Sequence, residues 1–211
     1  MHGYYAILDA TPRDLSDLGA LCARAAERLA ARPCCLQLRA KGSGGAAIRA
    51  AAARLLPLCR AVGVRLCVND RLDVALAVGA DVVHLGQEDL PLAAAQSLLR
   101  GRAGRIEVGV STHSLRQAQA AEAGGADYIG FGPVFGTTSK AGPEPTVGLG
   151  ALRAVCDAVR IPVVAIGGIT PMSAFRVAEA GAAAAAVIGA VDAAADPTAA
   201  GRAIAESFRA H

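Results

Sequence analysis

Short apolar runs alternate along this chain with longer stretches in which apolar residues recur at helical spacing. Residues 4–9 (YYAILD) read as a first strand, and 15–31 as a first helix with Leu18, Leu21, Cys22, Ala25 and Leu29 on one face. The same alternation predicts strands over 34–39, 65–69, 81–85, 106–110, 128–131, 161–166 and 184–188. It predicts helices over 46–62, 72–78, 92–99, 114–123, 149–158, 171–180 and 198–208. The last strand falls in an alanine run, although alanine is a poor strand former. Strand–helix alternation of this kind specifies a parallel sheet. Eight units with no shift in composition favour an α/β fold of the (β/α)8, or TIM-barrel, type over a doubly wound open sheet. The expectation is one domain over residues 1–211.

Composition narrows the function. The chain is 54% hydrophobic, which excludes disorder, and 3% aromatic, which argues against a nucleic-acid module built on exposed stacking rings. A net charge of +3 is too small to suggest a nucleic-acid or membrane partner. No apolar run reaches the roughly 20 residues of a membrane span. Met1, His2 and Gly3 lead straight into the first strand, so no signal peptide is expected. The six cysteines form no paired metal-binding pattern and read as small core residues in a reducing cytoplasm. Small-molecule substrates are the expected partners, and the apolar helical faces would permit a homodimer.

In a barrel of this type chemistry sits at the C-terminal ends of the strands, and polar residues collect there in this chain. Gln37, Arg39 and Lys41 share one face of the second strand by its period of two. A glutamine and two cations at a barrel mouth suit a polyanion such as diphosphate, the alternative being a strand end that turns into solvent. Asp70 and Asp89 follow the third and fourth strands. They read either as helix N-caps or as carboxylates bridged by Mg2+ to phosphate oxygens. Ser111 reads equally as a phosphate contact or as a cap for the helix over 114–123. His84, inside the fourth strand, reads as a satisfied core histidine. Lys140 sits in a long polar loop after the sixth strand, where it would add positive charge over a leaving group or simply be solvated. Glycines after the seventh and eighth strands, Gly167, Gly168 and Gly189, either serve simple turns or let backbone N–H groups approach a phosphate. Tyr4, Phe131 and Phe135 are the rings expected near strand ends or barrel walls.

Five segments in order resemble one family: QLRAK at 37–41, VNDRLDVALAVGADVVHLGQEDLP at 68–91, GVSTHSL at 109–115, ADYIGFGPVF at 126–135 and VVAIGGITP at 163–171. They are similar to the thiamine phosphate synthases, a family shared with thiazole tautomerases. The resemblance implies condensation of hydroxymethylpyrimidine diphosphate with a thiazole or carboxythiazole phosphate, giving thiamine phosphate and pyrophosphate. It implies that Gln37, Arg39, Lys41, Asn69, Ser111 and Lys140 bind the pyrimidine diphosphate, with Arg39, Ser111 and Lys140 carrying the chemistry. It implies Asp70 and Asp89 as Mg2+ ligands. Thr137, Thr138 and Ser139 would line the thiazole side, with Gly168, Ile188 and Gly189 on its phosphate. A tautomerase has no need of the diphosphate and Mg2+ residues, and Pro133 stands where the characterised tautomerase type has histidine. A non-catalytic sensor of phosphorylated ligands is the third reading. It is suggested by two departures: Ala40 replaces the family's usual Glu, and Gly189 its usual Ser. Loss of that hydroxyl should weaken thiazole binding by about 1 kcal/mol. Met172 and Ser173 also stand where an acidic residue and Asn are common.

Overall fold

The computed structural model describes residues 1–102, 104–137 and 145–209. Eight strands form a closed barrel in sequence order. They are β1 (Gly3–Asp9), β2 (Cys35–Arg39), β3 (Arg65–Asn69), β4 (Val82–Leu85), β5 (Glu107–Thr112), β6 (Tyr128–Phe131), β7 (Val163–Ile166) and β8 (Ala184–Val187). All pairings are parallel, and β1 closes the barrel on β8 through Gly3 opposite Ala184. The helices are α1 (Leu18–Leu29), α2 (Gly45–Ala61), α3 (Leu72–Val78), α4 (Leu92–Leu99), α5 (Leu115–Ala123), α6 (Gly148–Ala158), α7 (Ala174–Glu179), α8 (Gly189–Asp192) and α9 (Pro197–Glu206). Every strand and helix expected from periodicity is present, with shifted ends.

The shifts have local causes. The first helix starts late because residues 14–16 form a separate 3-10 turn and Asp17 caps α1, accepting from the Ala20 N–H at 3.0 Å. α7 starts late because Thr170 and Ser173 close a hydrogen-bonded turn first, the Thr170 N–H donating to Ser173 Oγ at 3.0 Å. β5 runs on to Thr112, which buries Thr112 and sets its Oγ1 on the Gly130 carbonyl at 3.0 Å. α8 is an addition: the segment after the eighth strand gives no helical period, being a single turn.

Strand parity sorts the core into two layers. Tyr5, Ile7, Cys35, Cys67, Val82, Tyr128, Val164, Ala184 and Ala186 fill the barrel interior. Tyr4, Leu8, Leu36, Leu38, Leu66 and Phe131 face outward into the layer shared with the helices. The alanines of β8 now have a physical reason. They lie opposite the two tyrosines of β1, Tyr4 against Ala185 and Tyr5 against Ala186, and small side chains leave room for the rings. Gly109 does the same for Tyr128 across β5 and β6: a Cβ there would stand 2.1 Å from the ring.

Candidate active site

A cavity of about 590 Å³ opens at the carboxyl ends of the strands. Its floor is a chain of hydrogen bonds across the barrel. Gln37 Nε2 donates to Tyr5 Oη at 3.0 Å, and Tyr5 Oη lies 3.0 Å from Tyr128 Oη. Tyr128 Oη lies 3.0 Å from His84 Nδ1, and His84 Nε2 lies 2.9 Å from Ser111 Oγ. A proton arrangement in which Gln37 donates to Tyr5, Tyr5 to Tyr128, Tyr128 to His84 Nδ1 and His84 Nε2 to Ser111 satisfies every link, and it leaves the Ser111 hydroxyl to donate into the cavity. Burial pushes both phenols well above the usual tyrosine range, so they stay neutral and the chain keeps its protons.

The wall beside the floor carries the cation. Arg39 lines the cavity and its Nη1 is held by Asp9 Oδ1 at 2.6 Å. Asp9 ends β1 opposite Arg39 in register, so adjacent strands deliver the pair. Asn69 also lines the cavity. Asp70 follows it with φ +62°, in the left-handed region, and its N–H donates to the His84 carbonyl at 2.8 Å. Lys41 Nζ stands 3.6 Å from Asp70 Oδ2.

Neither Asp70 nor Asp89 caps a helix. α3 and α4 begin without any side-chain cap, and Asp89 Oδ2 instead accepts from the Gly86 N–H at 2.6 Å. Burial and the neighbouring Asp89 carboxylate raise Asp70 to about 6, with Lys41 only partly opposing them. Two crowded carboxylates supply hard oxygen donors, the chemistry that suits Mg2+. Among the described residues no group of three or more His, Cys, Asp or Glu is arranged to hold a metal. A cation here would therefore share its shell with substrate oxygens and water, as Mg2+ commonly does.

The opposite wall joins glycines to apolar side chains such as Ile166, Ile169 and Ile188. Gly168 has φ +62°, and a Cβ there would meet the Gly136 carbonyl oxygen at 2.3 Å. Gly168, Ile188 and Gly189 line the cavity, as does Thr137. Thr138, Ser139 and Lys140 lie outside the described residues. Gly168→Ala will cost about 1–3 kcal/mol through this collision. Urea unfolding measures it, and an unchanged midpoint would show that the loop yields freely.

The structure thus brings together Gln37, Arg39, Asn69, Ser111, Thr137, Gly168, Ile188 and Gly189 around one cavity. Lys41, Asp70 and Asp89 form a charged group beside it rather than lining it. Ser111 is not a cap: Ser114 holds that place, its Oγ accepting from the Gln117 N–H at 3.3 Å. Ala40 packs in the outer layer, away from Gln37 and Arg39. Tyr4 and Phe131 stand in barrel strands as expected, but both face the helix layer rather than the cavity, and Phe135 sits under the Arg176 guanidinium at 5.6 Å. Among the described residues the aromatic rings lining the cavity are Tyr5, Tyr128, His84 and His113. Sequence reasoning missed Asp9, Tyr5 and Tyr128 as site residues. The period of two along YYAILD puts Tyr5 and Asp9 on one face and was the available signal.

Fold and cavity together define a (β/α)8-barrel enzyme with its pocket at the carboxyl ends of the strands. The family model described as thiamine monophosphate synthase matches residues 4–191. The chain belongs to this family, whose members are transferases of thiamine biosynthesis. It is 48% identical over 171 residues to the thiamine-phosphate synthase of Methanospirillum hungatei, covering 81% of this chain and 82% of that one. It is 51% identical over 151 residues to the thiamine-phosphate synthase of Chloroflexus aurantiacus, covering 72% and 68%. The solved thiamine phosphate pyrophosphorylase of Pyrococcus furiosus superposes with a TM-score of 0.84 at 34% identity, over 99% of this chain and 96% of that one.

Proposed function

We propose that this protein condenses hydroxymethylpyrimidine diphosphate with a thiazole or carboxythiazole phosphate, releasing thiamine phosphate and pyrophosphate and, from the carboxythiazole, carbon dioxide as well. The observation that carries this reading is the placement of opposite charges at one edge of the cavity. Arg39, held by Asp9, lines the cavity, and Lys41 stands beside the Asp70 carboxylate, itself paired with Asp89.

In this reading the pyrimidine enters towards the Gln37–Tyr5–Tyr128–His84 floor. Its diphosphate meets Arg39, Lys41, Asn69, Ser111 and Lys140. Asp70 and Asp89 would hold Mg2+, which when bound supplies charge neutralisation to diphosphate oxygens. The bond between the pyrimidine methylene and the diphosphate oxygen breaks first. Arg39, Lys41 and the Ser111 hydroxyl stabilise the charge gathering on the departing group, the preorganised-donor effect that usually dominates such steps. The thiazole nitrogen then captures the methylene cation. Thr137 lines the thiazole side, where the family resemblance would add Thr138 and Ser139, with the backbone at Gly168, Ile188 and Gly189 on its phosphate. The reaction calls for neither nucleophile nor strong base, in keeping with buried tyrosines held neutral. A reducing cytoplasm suits the six free thiols.

Purified protein mixed with the pyrimidine diphosphate, thiazole phosphate and Mg2+ will form thiamine phosphate, detected by chromatography. No product at any Mg2+ concentration would sink the reading. Isomerisation of carboxythiazole phosphate without condensation would point to a tautomerase instead.

A further inference from the structure

Among the described residues one charged side chain outside the cavity is fully buried. Arg28, on the inner face of α1, is 2% exposed. Its Nη1 donates to the Arg24 carbonyl at 2.8 Å, and its Nη2 pairs with Asp192 Oδ1 at the end of α8. Its Nε is buried without a hydrogen-bond partner among the described residues. One turn earlier on α1, Arg24 Nη2 donates to the Asp9 carbonyl at 2.9 Å and stands 4.0 Å from Asp192 Oδ2. Arg24 Nη1 is 3.4 Å from Asp14 Oδ1.

Stability alone does not account for this arrangement. A buried ion pair is commonly no better than apolar packing of the same volume, because both charges lose their water. What the pair does is local. α8 is a single turn with no side-chain cap, and a helix of that length does not hold itself. Asp192 at its last position is unfavourable to the helix dipole unless a cation meets it, and Arg28 is that cation. The first residues of the same turn, Gly189 and Ala190, line the cavity. Arg24 meanwhile grips the backbone of Asp9, whose carboxylate holds Arg39. Two arginines four residues apart on α1 thus reach both walls of the site from behind.

We propose that Arg24 and Arg28 are positioning residues that fix the spacing between the two phosphate subsites, with Arg28 acting through Asp192 on the thiazole-phosphate wall. The inference rests on the proposed placement of the thiazole phosphate at Gly168, Ile188 and Gly189. Releasing Asp192 lets α8 drift and weakens thiazole-phosphate binding, while the floor and Arg39 keep the pyrimidine diphosphate.

The test is steady-state kinetics of Arg28→Met and Asp192→Asn in the full chain. Each will raise KM for thiazole phosphate about tenfold, and KM for the pyrimidine diphosphate by less than about twofold. The double variant will be no worse than either single one, because both remove the same interaction. Asp192→Glu, which keeps the carboxylate, will recover most of the loss. If Arg28→Met does not fold, Asp192→Asn carries the test, since Asp192 is 31% exposed and its amide stays hydrated. Unchanged KM values, or an equal rise in both, overturn the proposal. Amide NMR of the wild type with thiazole phosphate separates the two levels. If the Gly168 and Gly189 signals do not move, the phosphate placement fails and the proposal with it. If they move and the variants bind normally, the clamp alone fails.

Discussion

Asp70→Asn will slow turnover by about a hundredfold or more, and will make the protein more stable in the absence of divalent cations. The two effects share one cause. Asp70 is held near Asp89 in a partly buried place, and its carboxyl rises from 3.8 to about 6. A carboxyl raised on folding favours the folded state only while protonated. Its contribution is complete below the unfolded value near 3.8 and is lost as pH climbs through about 6. At pH 8 the wild type therefore carries a repulsion that the amide lacks. About two pKa units would correspond to roughly 3 kcal/mol, and partial solvent access and the lost Lys41 pair reduce this to about 1–2 kcal/mol. Thermal melts with a chelator will separate the two proteins at pH 8 and bring them together below about pH 3.8. Equal separation at both values would dispose of the argument. Asp89→Ala will lose turnover in the same way, since it empties the other half of the pair.

Arg39→Ala will lower kcat by about 10²- to 10³-fold, the usual cost of removing a preorganised donor from developing negative charge. Lysine in its place will recover only part of the rate, because a point charge cannot reproduce the planar fork that Asp9 orients. Removing the orienting group gives a different signature. Asp9→Asn keeps a hydrogen-bond acceptor but not the charge, so its loss will be smaller than that of Arg39→Ala. Circular dichroism checks that the barrel persists, and rates within about twofold of wild type for Arg39→Ala would remove Arg39 from the diphosphate.

The barrel was legible in the sequence because its signal is repetitive. Eight apolar runs each alternate with a helical period, and errors of a residue or two at the ends do not alter the count. The Gln37 and Arg39 wall was legible for the same reason, since strand parity alone brings both to one face. Ends of helices were less so. Asp17 and Ser173 act through local hydrogen bonds that leave little trace in hydrophobic spacing. The floor of the cavity was missed because Tyr4 and Tyr5 are adjacent and chemically identical, and only the register with β8 and β2 tells which one turns inward. His84 was read as a satisfied core residue, and it is satisfied; its partners, Tyr128 and Ser111, come from strands far along the chain. α8 was invisible because a single turn carries no period, and its anchor on Arg28 lies more than 160 residues away in sequence.

The cavity floor also gives the protein an optical property. The chain has no tryptophan and three tyrosines, so its near-ultraviolet absorption and intrinsic emission come from Tyr4, Tyr5 and Tyr128. Two of the three are hydrogen-bonded to each other at the base of the cavity, and the third faces the helices. Most of the intrinsic signal therefore originates where a ligand would rest. A change in the tyrosine spectrum becomes a label-free gauge of occupancy, with Tyr4 as an internal reference that a ligand does not touch.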